Sequence, residues 1–177
     1  PIAGGPRLTS YDLLFWTAQL GILEGVGACK GGEAAMKTLA PLHVMQVWTP
    51  DYRKARTSVA AFPTFLADQQ ALFARFDADN WGRQVAAIMD HDILKPFGGD
   101  LRKAAAAVRA RSLVITSARD PLVDREDVEA FARLIGAQTA ELDGACGHFA
   151  FLCDQDRLKT MVNAFLSPEA GPPPGGR

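Results

Sequence analysis

Leu113-Val114-Ile115-Thr116 is a short, continuously apolar and largely β-branched run, the pattern of a strand buried on both faces. Its flanks say what kind of sheet it joins. Before it, Asp100 is placed to cap a short alanine-rich helix to Val108. After it, Asp124 caps a helix carrying Val128, Phe131, Leu134 and Ile135, which Gly136 stops in the left-handed position. Gln138 to Leu142 reads as a second short strand, and Leu158, Met161, Val162, Phe165 and Leu166 form an apolar helical stripe. This alternation of helices and strands is the closing section of a parallel α/β sheet. Such a sheet needs several strands, and the 177 residues supply two, with Pro1 to Ala3 as the stub of a third. Two or three parallel strands leave an unpaired apolar edge, so the missing strands are expected on another piece of polypeptide.

The first half follows different rules. Thr9-Ser10-Tyr11-Asp12 offers a hydroxyl cap with an acid in the first turn, followed by an apolar run through Leu23. The glycine-rich stretch from Gly25 to Gly32 is expected to break that helix, with Glu33 to Leu39 helix-prone again and Pro41, Pro50 and Pro63 as punctuation. Phe65, Leu72, Phe73 and Phe76 fall on one helical face, as do Trp81, Val85, Ile88 and Met89. Residues 1–8 therefore read as the end of a core strand and its lead-out, 9–99 as a helical region and 100–167 as the α/β core. Residues 168–177, rich in Pro and Gly, read as a disordered tail. The opening Pro1-Ile2-Ala3 reads as a cut N-terminus and the tail as a natural C-terminus.

Bulk properties narrow the function classes. Apolar residues make up 48% and charged residues 22%, a globular balance, and the net charge of −1 offers no field for nucleic acid or anionic membrane. No uninterrupted apolar stretch reaches spanning length. Three cysteines, Cys29, Cys146 and Cys153, without paired spacing read as reduced thiols, which favours a cytoplasmic location.

Two loops carry the candidate chemistry, each following a strand. The first is Ser117-Ala118-Arg119-Asp120-Pro121, the second Asp143-Gly144-Ala145-Cys146-Gly147-His148-Phe149. In open parallel sheets, functional groups gather where loops leave the carboxyl ends of strands. A carboxylate at Asp120 can fix the tautomer of an imidazole at His148, leaving its other nitrogen to take a proton from a nucleophile. Acid then histidine, late in the chain, is the order of the α/β-hydrolases, with the nucleophile expected earlier. Asp-Pro is also an ordinary turn signal, and a lone histidine is more often structural. Two strands placing both residues at one sheet edge favour the catalytic reading.

From Pro6 to Leu166 the chain resembles the homoserine O-acetyltransferase branch of the α/β-hydrolases. The segments that carry the resemblance are Pro6-Arg7-Leu8-Thr9, Phe76-Asp77-Ala78-Asp79-Asn80-Trp81, His91-Asp92, Leu113-Val114-Ile115 through Asp120, and Gly147-His148-Phe149-Ala150-Phe151-Leu152. The resemblance implies the C-terminal part of an α/β-hydrolase sheet with an inserted helical lid, Asp120 as triad acid, His148 as general base, and a serine upstream of this chain. In that family the histidine is typically followed by an acid associated with the amino-acid substrate. Phe149 stands there instead, a substrate-binding position that cannot pair with an ammonium group, which disfavours homoserine.

Other arrangements fit less well. Gly27-Ala28-Cys29-Lys30-Gly31 matches a nucleophile elbow with cysteine, but the residues before it have helical spacing where an elbow needs a strand, so a glycine-rich loop is expected. As a phosphate loop it lacks a Ser or Thr after Lys30. Asp90-His91-Asp92 diverge around a helix and read as a helix-end cluster rather than metal ligands. Cys146 reads as a small buried hydrophobe, and Trp16, Trp48 and Trp81 as core or lid packing.

The expectation is a serine-type acyl hydrolase or acyltransferase acting on a small ester or thioester through an acyl-enzyme, with no cofactor and no metal. Its expected partner is an N-terminal polypeptide of the same precursor that carries the nucleophile. Nucleic acid and membrane are not expected partners, and homo-oligomerisation through the helical lid is open. The competing expectation is a non-catalytic α/β-hydrolase-like module that binds a ligand or partner.

Overall fold

The computed structural model describes residues 5–167. The strand stub expected at Pro1 to Ala3 and the tail expected from Pro168 to Arg177 lie outside the described residues. The chain divides into two compact units, Pro1–Arg7 with Asp92–Arg177, and Leu8–His91. Arg7 bridges Asp92 in antiparallel fashion, and Ile93 N donates to Pro6 O at 3.0 Å. The helical unit is therefore an insertion whose two connections run side by side.

The helical unit holds α1 (Ser10–Lys30), α2 (Gly32–Val47), α3 (Pro50–Arg56), α4 (Phe62–Phe73) and α5 (Ala78–Met89). Helix α1 starts with a reciprocal cap: Asp12 N donates to Thr9 Oγ1, and Thr9 N donates to Asp12 Oδ2 at 2.7 Å. The break expected across Gly25 to Gly32 is confined to Gly31, whose φ of 84° no other residue adopts cheaply. The preceding glycines stay helical because α1 packs along α2, burying Phe15, Trp16 and Gln19 on one side and Ala35, Met36, Leu39 and Ala40 on the other. Pro41, expected as punctuation, lies inside α2, whereas Pro50 and Pro63 do sit at helix starts.

The core of this unit is Met36, Leu39, Ala40, Val44 and Phe73, with Trp48, Phe65 and Trp81 packed against it. At its centre Gln19 is fully buried. Its Oε1 accepts from Trp81 Nε1 at 2.9 Å, which turns its amide nitrogen toward His43 Nδ1 at 3.4 Å. Trp81 has only a donor to give, so Gln19 must present its oxygen there, and His43 Nδ1 is left as the acceptor. One polar side chain thus links α1, α2 and α5 with its hydrogen-bonding groups satisfied. Of the residues expected on apolar faces, Phe73 and Val85 are buried, while Leu72, Phe76 and Ile88 are exposed.

The second unit holds α6 (Leu101–Ala107), β1 (Leu113–Ser117), α7 (Arg125–Leu134), β2 (Gln138–Leu142), α8 (Ala150–Cys153) and α9 (Gln155–Leu166). Asp100 caps α6 by accepting from Arg102 N and Lys103 N, and Asp124 caps α7 by accepting from Asp127 N. Gly136, at φ 64°, follows the last turn of α7. Strands β1 and β2 pair in parallel, Leu113 with Gln138 through Ser117 with Leu142, joined by α7 as the crossover. The expected burial of β1 on both faces is not found, since all five of its residues are half-buried. Among the described residues β1 has one strand neighbour, so one edge and part of each face lack the layers that would cover them.

Candidate active site

Parallel pairing puts the carboxyl ends of β1 and β2 at the same edge, and Ala118 N donates to Leu142 O at 2.9 Å to carry the ladder one residue past the strands. The loops leaving that edge hold Asp120 and His148. Asp120 uses its two oxygens differently. Oδ1 accepts from Leu122 N at 2.8 Å and Val123 N at 3.1 Å, closing a turn over Pro121. Oδ2 faces His148 Nδ1 at 3.0 Å. The turn reading and the pairing reading of this aspartate are thus both realised, on separate atoms.

The two side chains are only 12% and 14% exposed, so little water competes for their bond. A carboxylate can only accept, which assigns the proton to Nδ1 and leaves Nε2 with its lone pair. An imidazole held this way can take a proton from a hydroxyl and return it to a leaving group. The loop backbone makes the placement possible. Gly147 adopts φ 67°, which a residue with a Cβ resists, and its carbonyl accepts from Ser117 Oγ at 2.8 Å. Ser117 at the end of β1 therefore ties down the turn that carries His148.

Sequence reasoning missed Ser117, whose only signal was its place at the strand end. It also misread two cysteines. Cys146 and Cys153 form a disulfide across a sequence separation of 7, correcting the expectation of three reduced thiols and removing the basis for a cytoplasmic preference. Cys146 is buried as expected, but as half of a cross-link. The two residues lie on either side of His148 in the sequence, Cys146 before the turn that carries it and Cys153 at the end of α8. Phe149, the candidate substrate residue, is half-buried, its ring 5.7 Å from His148 and 5.8 Å from Phe151.

The alternatives fall elsewhere. Cys29 is exposed and lies in the last turn of α1, so the expected glycine-rich loop is replaced by helix, and among the described residues no strand precedes the cysteine. Asp90 caps the end of α5, and Asp92 Oδ1 accepts from Leu94 N at 2.8 Å. Among the described residues no three His, Cys, Asp or Glu side chains are grouped to hold a metal ion, and no helix is long and apolar enough to cross a membrane. Trp16 is buried, Trp48 stacks on Tyr52 at 4.5 Å, and Trp81 packs on the helical core.

No family model matches the chain. Homoserine O-succinyltransferase from Herminiimonas arsenicoxydans is 35% identical over 95 residues, covering 51% of this chain and 25% of the relative. Homoserine O-acetyltransferase from Bradyrhizobium diazoefficiens is 31% identical over 97 residues, covering 52% and 24%. Among solved structures, an acetylester hydrolase from Corynebacterium glutamicum superposes with a TM-score of 0.77 at 19% identity, covering 93% of this chain and 52% of that one. Homoserine O-acetyltransferase from Bacillus anthracis gives 0.77 at 18%, covering 94% and 52%. The matched segment is about a quarter of the curated relatives, and the chain spans about half of the solved structures. Over about half its length the chain is similar to homoserine O-succinyl- and O-acetyltransferases, and its fold is that of part of an α/β-hydrolase.

Proposed function

We propose that this chain supplies the acid and the histidine of a Ser-His-Asp triad in an acyl-transferring α/β-hydrolase. The observation that carries the reading is the bond of His148 Nδ1 to Asp120 Oδ2 at 3.0 Å, on loops leaving one edge of a parallel sheet. The likeness to acyltransferases and esterases supports the reaction class. In this reading a serine on a segment outside the chain attacks an ester or thioester carbonyl, and His148 takes its proton through Nε2. His148 then protonates the leaving group, and water or an acceptor hydroxyl resolves the acyl-enzyme with His148 as base again. Asp120 orients the ring and stabilises the imidazolium that forms at each step. The segment bearing the serine comes from the same precursor and completes the sheet.

Phe149 bears on the acceptor. Beside His148, an aromatic ring offers an apolar wall where the resembling family has a carboxylate, so a charged amino-acid acceptor loses its ionic partner. The expected substrate is a short, less polar acyl ester. The test compares hydrolysis of a nitrophenyl ester with acetyl transfer to homoserine, using the complete protein and its His148→Ala variant. Expected are measurable hydrolysis, weak or absent transfer, and a loss of roughly 10³-fold or more in kcat for the variant. Wild-type turnover of the ester that survives His148→Ala would overturn the triad. Efficient transfer to homoserine would overturn the role given to Phe149.

A further inference from the structure

His148 is carried by a segment made of two very short helical pieces. The segment is a three-residue 3-10 turn, Gly147–Phe149, followed by the four residues of α8. Helical pieces this short do not stand by themselves. Side-chain burial offers little more, for Ala150 is buried whereas Phe151 and Leu152 are 42% and 49% exposed. On the strand side the segment is secured by Ser117 Oγ on Gly147 O and by Cys146 in the core. On the far side, the disulfide from Cys146 to Cys153 closes a ring that contains His148.

We propose that this disulfide is a positioning element for His148, and that its reduction by a dithiol lets the imidazole move out of register with Asp120. The inference rests on the reading of His148 as the catalytic base. Both sulfurs are taken up in the disulfide, so in this inference the cysteines act through the histidine. Asp120 is held separately by its own turn, through Leu122 N and Val123 N, so cutting the disulfide loosens one partner of the pair and leaves the other fixed. The ring is also open to reagents at one end: Cys146 is buried, and Cys153 is an exposed residue.

The step is ordinary thiol-disulfide exchange. A thiolate of the dithiol attacks Cys153 Sγ and expels Cys146 as a thiolate, which takes up a proton. The second thiol of the reagent then closes on the first, expelling Cys153 in the same way. Two electrons and two protons pass from the dithiol, which leaves as its own disulfide, to the cysteine pair.

The test uses the complete protein in a Cys29→Ser background, with the thiols of Cys146 and Cys153 followed by peptide mapping. It is equilibrated at graded ratios of reduced to oxidised dithiothreitol, and the thiols are blocked and counted by mass spectrometry. At each ratio, kcat and KM for the ester are measured along with the low-field proton resonance of His148 Nδ1–H, a signature of the bond to Asp120. Two thiols are expected to appear together as kcat falls roughly 10- to 100-fold, because small displacements of a catalytic group cost that much. KM should move far less, and the resonance should broaden or vanish. Cys153→Ser should reproduce the reduced state and ignore the dithiol. Complete reduction that leaves kcat and the resonance unchanged would overturn the inference, as would a Cys153→Ser variant matching the oxidised protein. Two free thiols in the purified protein with the resonance intact would overturn it as well. If the ester is not turned over in either state while the resonance follows the disulfide, the proposed activity fails and the positioning role stands. If turnover is present and indifferent to reduction, the positioning role fails and the activity stands.

Discussion

Asp120 shows how much one side chain can settle. Its Oδ1 builds a turn and its Oδ2 holds His148, so removing the whole carboxylate disturbs both. Asp120→Asn separates them. The amide oxygen can still accept from Leu122 N and Val123 N, but the amide nitrogen then faces Nδ1 as a donor and selects the tautomer with its proton on Nε2. The loop should keep its shape while Nε2 loses its lone pair. Expected is a drop of roughly 10³- to 10⁴-fold in kcat with thermal stability nearly unchanged, read from ester turnover and a melting curve. A modest loss of turnover with a large loss of stability would mean that the turn, not the pair, is the role of Asp120. Both roles were legible in the residues Arg119-Asp120-Pro121, since Asp before Pro signals a turn and an acid after a strand end signals chemistry. The pairing of Cys146 with Cys153 was not legible, because spacing along a chain gives no distance until the turn at Gly147 and helix α8 are placed.

Among the elements, caps and stops were the most readable. Thr9, Asp100 and Asp124 each start the helix their side chains suggested, because a cap is a contact within three residues and needs no tertiary partner. Helix interiors were less readable. Glycine costs a helix about 1 kcal/mol per residue, which argued for a break across Gly25 to Gly32, but the burial of α1 against α2 outweighs it. That packing hinges on a few residues. Leu39 is fully buried among Met36, Ala40, Val44 and Phe73, so Leu39→Ala should destabilise the helical unit by about 2–5 kcal/mol. Urea unfolding followed by tryptophan fluorescence would measure it, since Trp48 and Trp81 pack on that core. A loss under about 1 kcal/mol would mean that the site collapses around the smaller residue.

Across the whole molecule the sheet is the decisive feature. Among the described residues, two parallel strands with β1 half-buried throughout leave backbone donors and acceptors along an edge that parallel sheets normally pair. The 177-residue span expressed by itself should therefore bind a hydrophobic dye and turn over no ester. Supplied with the nucleophile-bearing segment proposed above, it should form a complex that survives native mass spectrometry and separates only in denaturant. Each restored ladder bond contributes about 1 kcal/mol net, and burial of the apolar faces adds to it. A cooperatively folded, dye-negative span without a companion would refute the need for added strands.

Local grammar was readable along the chain: which residues start helices, where the two short strands lie, and that an acid and a histidine follow them. Those features depend on neighbours within a few residues, or on an alternation of apolar residues that the chain carries openly. Tertiary structure decided the rest. It set the 3.0 Å approach of His148 to Asp120, the tie from Ser117 to Gly147, and the closure of Cys146 on Cys153. It also carried α1 through its glycines and kept β1 from full burial. Each of these depends on which distant surfaces meet, and an apolar residue records only that it will be covered, not by what.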